Sequence, residues 1–173
     1  MSLKILLLNK KVETCTGSLV TELFVLTAAH CVYGKDKKDL KIEKPFSHID
    51  EYIRIGGSSI EFANNKSLKC IVIGFGTNAE HGGFVNQIMV KHGRKTCEGY
   101  DSVKIIDTWQ QYICEIPSSK HKTYEGDSGG PMICNGLQYG VCSFSINFKG
   151  EDMQTVYMFI DYYRKWINDI IEP

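Results

Sequence analysis

Glu125-Gly126-Asp127-Ser128-Gly129-Gly130-Pro131 is the stretch that most constrains this chain. A serine stands among glycines, with a carboxylate just before it. Glycine takes backbone conformations that other residues resist, and it lets neighbouring atoms approach closely. A serine on such a turn can present its hydroxyl outward. The amides of Gly126 and Ser128 can then converge on one point, as an oxyanion requires. An ordinary surface turn has the same composition, so the meaning of the loop depends on a partner. Leu26-Thr27-Ala28-Ala29-His30-Cys31 offers one. His30 follows the apolar run Phe24-Val25-Leu26, where a buried strand would end. Alone, a histidine there reads as a satisfied core residue. Paired with the serine loop, it is a candidate general base for a hydroxyl nucleophile. A fold that uses both must unite residues 98 positions apart.

The two segments, LTAAHC and then GDSGGP, resemble the trypsin/chymotrypsin-like serine peptidases in wording and in order. The resemblance runs from Cys15-Thr16-Gly17-Ser18-Leu19 to the end of the chain. It implies an all-β fold of two packed antiparallel barrels with a C-terminal helix. It implies His30 as base, Ser128 as nucleophile, and the amides of Gly126 and Ser128 as the oxyanion hole. The 173 residues are read as one domain of this type, with 1–64 as the N-terminal barrel and 65–173 as the C-terminal barrel and helix.

Composition fits a globular protein with one real core. Hydrophobic residues make up 43%, and 20 basic residues balance 20 acidic ones. That balance gives no reason to expect a nucleic acid or an anionic membrane as partner. No run approaches the ~20 apolar residues of a membrane span. Ile5-Leu6-Leu7-Leu8 is too short for the core of an export signal. Ser2 to Val12 therefore reads as a first strand, and the chain is expected to carry no such signal. Seven cysteines nonetheless favour an oxidising, extracellular setting. Their positions alone leave the connectivity open. The resemblance implies Cys15–Cys31, Cys70–Cys134 and Cys97–Cys114, with Cys142 left over. The cysteines lack a C-x-x-C pair and the histidines are scattered, so neither a metal site nor a cofactor is expected.

Short strands are expected at Leu23–Thr27, Tyr52–Ile55, Cys70–Phe75, Val85–Val90, Gln111–Ile116, Met132–Cys134, Tyr139–Phe144 and Val156–Ile160, with turn residues between them. Tyr162, Trp166, Ile167, Ile170 and Ile171 recur at helical spacing behind Asp161, a candidate cap. Their aromatic stripe is expected to be core. Asn65-Lys66-Ser67 is a glycosylation sequon, relevant only to an exported chain.

The chain also departs from the family. In a Ser-His-Asp triad the acid lies about 45 residues after the histidine and the serine about 93 after the acid. The present interval is roughly forty residues short of that, and the gap falls near Ile60 to Asn64. The strand that should bring the acid is missing, which leaves the first barrel incomplete and less stable than the second. Asp50, Glu51 and Asp101 are the nearest carboxylates, and each reads as a loop acid. The family pairs a new N-terminal amine with the carboxylate at Asp127, but no such start is present, so Asp127 is expected to lack a partner. The specificity pocket is assigned by resemblance to Lys122, Thr123, Ser143, Phe144, Ser145 and Thr155. Ser145 and Thr155 stand where glycines are usual, and Lys122 stands where trypsin-like members carry Asp. Two functions follow. One is a serine endopeptidase domain acting as a monomer on a polypeptide substrate, with impaired turnover. The other is a non-catalytic homologue that binds a protein ligand.

Overall fold

The structure, a computed structural model, describes residues 1–6, 12–33, 49, 51–76, 84–100, 102–117, 123–149 and 153–171. The first strands are β1 (Ser2–Leu6), β2 (Val12–Thr16), β3 (Ser18–Leu19) and β4 (Val25–Leu26). Among the described residues they form two separate antiparallel pairs, β1–β2 and β3–β4. The expected single strand from Ser2 to Val12 is instead a hairpin, in register from Ser2 opposite Thr16 to Leu6 opposite Val12. Polar Asn9-Lys10-Lys11 separates its two arms. The one-turn helix α1 (Ala29–Val32) follows β4 and carries His30.

The second half closes. Strands β5 (Leu68–Gly74), β6 (Phe84–Lys91), β7 (Tyr112–Glu115), β8 (Pro131–Cys134), β9 (Leu137–Asn147) and β10 (Met153–Phe159) pair in the order β10-β7-β6-β5-β8-β9 to complete a barrel. In β5, the buried Leu68, Cys70 and Val72 alternate with more exposed neighbours, the period-two pattern of a half-buried strand. Val72, Ile88, Val90, Ile113, Met132, Tyr157 and Phe159 fill the interior. Each large apolar side chain so buried contributes roughly 1.5–3 kcal/mol. The Cys70–Cys134 bridge joins register partners of β5 and β8. Helices α2 (Arg94–Cys97) and α3 (Val103–Asp107) interrupt the chain between β6 and β7, and Cys97–Cys114 ties α2 to β7. The strand pattern alone gave no sign of these two helices.

Where the chain is short, it does not form the expected strand. Residues 51–58 form no regular strand and make a single parallel bridge, between Ile55 and Gln138. Ile53 N–H donates to the Leu19 carbonyl at 3.1 Å, and Gly56 N–H to that of Gln138 at 3.0 Å, so the segment crosses from β3 to the barrel. A 3-10 helix, Ser59–Asn65, follows behind a capping box of Ser58 and Glu61, with Phe62 buried in the barrel core. Glu61 also accepts from the Tyr139 hydroxyl at 2.6 Å. The sequon asparagine, Asn65, is exposed at the end of this turn.

The last helix, α4 (Ile160–Ile171), packs on a second cluster shared with the N-terminal strands: Cys15, Ala28, Cys31, Val141, Ile160 and Ile167. The expected aromatic core stripe is not found there. Tyr162, Trp166 and Ile170 are 54%, 63% and 47% exposed. The inward row is Ile160, Tyr163, Ile167 and Ile171, at helical spacing, so Ile167 and Ile171 of the expected set face inward and its other members do not. Asp161 is not a cap. It lies within the first turn, accepts from Ser59 N–H at 2.9 Å, and pairs with Arg164. No described helix is long and apolar enough to cross a membrane.

Candidate functional site

The serine loop is built on left-handed glycines. Gly126 has φ +103° and Gly129 φ +87°. A side chain at Gly129 would collide with the Thr16 carbonyl and the Thr27 hydroxyl, so glycine lets this loop sit directly on the N-terminal strands. Thr16, fully buried, is the hub of that contact. Its N–H donates to the Ser128 carbonyl at 2.8 Å, and its hydroxyl donates to the Gly126 carbonyl at 2.9 Å. The same hydroxyl accepts from Phe75 N–H at 3.1 Å. Sequence reasoning missed this residue. On the other side, Gly129 N–H donates to the Cys142 carbonyl at 2.7 Å and Cys142 N–H to that of Gly130 at 2.8 Å, which lays the loop along β9.

Those bonds leave two amides over. Tyr124, Asp127, Gly129 and Gly130 N–H groups all have acceptors. Among the described residues, the amides of Gly126 and Ser128 donate to none. The half-buried Ser128 hydroxyl donates to the Ser143 carbonyl at 3.4 Å. A β-bulge aims that carbonyl: β9 advances from Cys142 to Phe144 while β10 advances only from Tyr157 to Val156.

His30 is exposed, and its ring nitrogen lies within 4.8 Å of the sulfurs of Cys15 and Cys31. The Cys31 sulfur is in turn 3.7 Å from the Ser128 carbonyl oxygen. The disulfide thus lies near both the imidazole and the serine loop. Because the two sulfurs are bonded to each other, they are not thiolate ligands, and the cluster does not fit a metal ion. Among the described residues the His30 ring has no hydrogen bond or ion pair. Asp50 and Asp101 lie outside the described residues. Glu51 is exposed.

Asp127 corrects a sequence-based expectation. The carboxylate is buried and accepts from Gly76 N–H and from Tyr124 N–H, each at 2.7 Å. Backbone amides favour the charged form of a carboxylate as an amine would. Gly76 is 51 residues away in sequence, so nothing near Asp127 in the chain announced it.

Of the residues expected to line a specificity pocket, Lys122 lies outside the described residues. Thr123 Oγ1 is 2.9 Å from Ser145 Oγ and 2.9 Å from Thr155 Oγ1. Phe144 lies between Ser143 and Ser145 and sets its ring edge-on to Tyr112 at 6.1 Å. Burial pushes the free Cys142 thiol well above its ordinary range, with the Asp127 and Glu115 charges adding to the effect. The thiol is therefore inert rather than a nucleophile.

Known proteins resemble this chain in sequence and in fold. Mouse chymase is 24% identical over 98% of this chain and 83% of its own length. Rat kallikrein-8 is 29% identical over 88% of this chain and 75% of its own. The solved structure of a scabies mite inactivated protease paralogue superposes with a TM-score of 0.77 at 19% identity, covering 99% of this chain and 92% of that one. The family model for trypsin matches residues 4–66 and 40–167, two stretches that overlap over 40–66. With a serine loop of this build, a barrel of this topology and that match, the chain belongs to the trypsin family of serine proteases.

Proposed function

We propose that this domain attacks peptide bonds through Ser128, with His30 as general base and the amides of Gly126 and Ser128 receiving the oxyanion, and that its turnover is impaired. The observation that carries this reading is the pair of uncommitted amides beside an accessible hydroxyl. Donors held in advance of the reaction cost no reorganisation when charge develops. The impairment follows from His30, which finds no carboxylate among the described residues to fix its tautomer or stabilise its cation. Removing that function from a triad lowers turnover about ten-thousand-fold while leaving residual reaction. The three disulfides suit secretion into an oxidising compartment, where an exposed polypeptide is the substrate.

A fluorophosphonate probe tests this chemistry. Slow labelling at Ser128 is expected, abolished in Ser128→Ala and reduced at least about a hundredfold in His30→Ala. Folded protein that stays unlabelled on prolonged exposure would instead favour a second reading, a non-catalytic homologue that binds a protein ligand. The unpartnered imidazole is the observation behind that alternative.

A further inference from the structure

Resting on export of the chain and not on the chemistry of Ser128, we propose that Asn65 is the attachment site of an N-linked oligosaccharide. The glycan stands at the end of β5 opposite the serine loop, so the exported chain carries it without covering that loop.

Asn65-Lys66-Ser67 is the one stretch of this sequence with an asparagine two places before a serine or threonine and no proline between them. Whether the fold presents it is a matter of geometry. Asn64 and Asn65 both take left-handed φ, +57° and +58°. Lys66 N–H donates to the Ala63 carbonyl at 3.2 Å and closes a four-residue turn. Two successive positive φ values are the demand of a type I′ turn, and asparagine tolerates them well. Lys66 is extended and leads towards β5. Ala63, Asn64, Asn65 and Lys66 are all exposed. Among the described residues the Asn65 side-chain amide has no hydrogen-bond partner. The turn is fixed from below, because Phe62 is buried in the barrel core and Glu61 accepts from Ser58 N–H at 3.0 Å and from the Tyr139 hydroxyl. A bulky substituent on the Asn65 amide therefore meets solvent and displaces no core side chain.

β5 separates this turn from the serine loop. Its 7 residues span about 20 Å. Just beyond them, Phe75 N–H donates to the Thr16 hydroxyl at 3.1 Å and Gly76 N–H to the Asp127 carboxylate at 2.7 Å. The asparagine and the serine loop thus lie at opposite ends of one strand. The three disulfides suit the oxidising, secretory setting in which asparagine acceptors are glycosylated. The donor there is an oligosaccharide carried on a lipid diphosphate. Asn65 Nδ2 bonds to the anomeric carbon of the first sugar. The bond from that carbon to the diphosphate oxygen breaks, and the oxygen leaves with the electron pair. The amide gives up one proton, and nothing is oxidised or reduced.

The test directs the full chain into the secretory pathway of a eukaryotic cell with a cleavable leader. Protein from the medium and from the microsomes is read by intact mass, before and after peptide-N-glycosidase F. One glycan is expected, released from the native fold without denaturant and leaving Asp at position 65. Ser67→Ala should abolish the added mass, and Ser67→Thr should keep it. Asn65→Asp, which retains a short polar side chain at a positive φ, should lose it too, and serves if Ser67→Ala fails to fold. Hydrogen exchange at residues 126–130 should be the same with and without the glycan. A chain with its three disulfides formed and Asn65 bare overturns the proposal. A glycan that persists in Ser67→Ala overturns it as well. A glycan that the glycosidase reaches only after unfolding, or one that alters exchange in the serine loop, overturns the placement at the far end of β5. A chain whose cysteines stay reduced and whose Asn65 is bare overturns the export reading, and the proposal falls with it.

Discussion

Six strands between Leu68 and Phe159 close into a barrel with each strand paired on both sides, whereas the four described strands between Ser2 and Leu26 stand as two separate pairs. Closure removes open edges and surrounds a core. A two-stranded sheet has two edges and is marginal by itself. Here the pairs persist by leaning on other parts: Thr16 on the serine loop, Ile53 on Leu19, and the Cys15–Cys31 cluster on α4. The proposed nucleophile, Ser128, thus lies in the closed region and the proposed base, His30, in the dependent one. Thr16 carries the direct hydrogen bonds from the N-terminal strands to the Gly126 and Ser128 carbonyls.

The contrast is most exposed at the disulfides. Opening Cys70–Cys134 with a double Ser substitution frees a separation of 64 residues and should cost about 4 kcal/mol. The same change at Cys15–Cys31, a separation of 16, should cost about 3 kcal/mol. Denaturant unfolding measures both, and a reversed order would break the comparison. Hydrogen exchange resolves the regions directly. Amides of β5 to β10 should exchange about a hundredfold slower than those of β2 to β4, close to 3 kcal/mol of extra opening cost. Equal protection would show that the paired sheets are as firmly held as the barrel.

The crossing segment can be tested separately. Glu61→Ala removes the capping-box partner of Ser58 and the acceptor of Tyr139. A loss of about 1–3 kcal/mol is expected in thermal or urea unfolding. A change near zero would mean that Phe62 alone seats the turn. A weaker, pH-dependent effect is expected at His92, packed among Phe62, Trp109 and Phe159. Its Nδ1–H donates to the Tyr112 carbonyl at 2.8 Å. Burial holds the ring below the ordinary histidine range, against the opposing pull of that bond and of Asp161. The unfolded chain therefore takes up the proton first. Stability is full above about pH 6.5 and falls as pH drops through that value towards the lower folded one. His92→Gln should flatten the slope of stability against pH. Smallest of all, Trp166→Ser on the outward face of α4 should change stability by less than about 0.5 kcal/mol, while Ile167→Ala on the inward face should cost about 2–4 kcal/mol.

Much of the barrel was legible because strands carry their signal locally. Cys70–Phe75 and Val85–Val90 alternate as half-buried strands do, and both appear within a residue or two of the expected bounds. The short helices α2 and α3 were not legible, since four or five residues hold too few turns to show a period. In α4 the helix was readable, but its inward face was not. Two adjacent rows, Ile160-Tyr163-Ile167 and Tyr162-Trp166-Ile170, are both apolar, and only the position of the Cys15–Cys31 cluster chose between them. At the site, the serine loop and its glycines were visible as a local backbone demand. Thr16 was not, because its role is made entirely by long-range bonds.

By itself the sequence determined the chemistry on offer: a hydroxyl on a glycine turn, an imidazole beside a cysteine, and an interval too short to hold the usual acid strand. These are properties of neighbouring residues, and backbone conformation and chain length decide them. The partners of each group were decided only in three dimensions. Asp127 is satisfied by Gly76, Thr16 carries the serine loop, and Thr123 bridges Ser145 and Thr155. A hydrogen bond requires atoms about 3 Å apart, and for residues far apart in the chain only the closed barrel and its docking to the N-terminal strands set that distance.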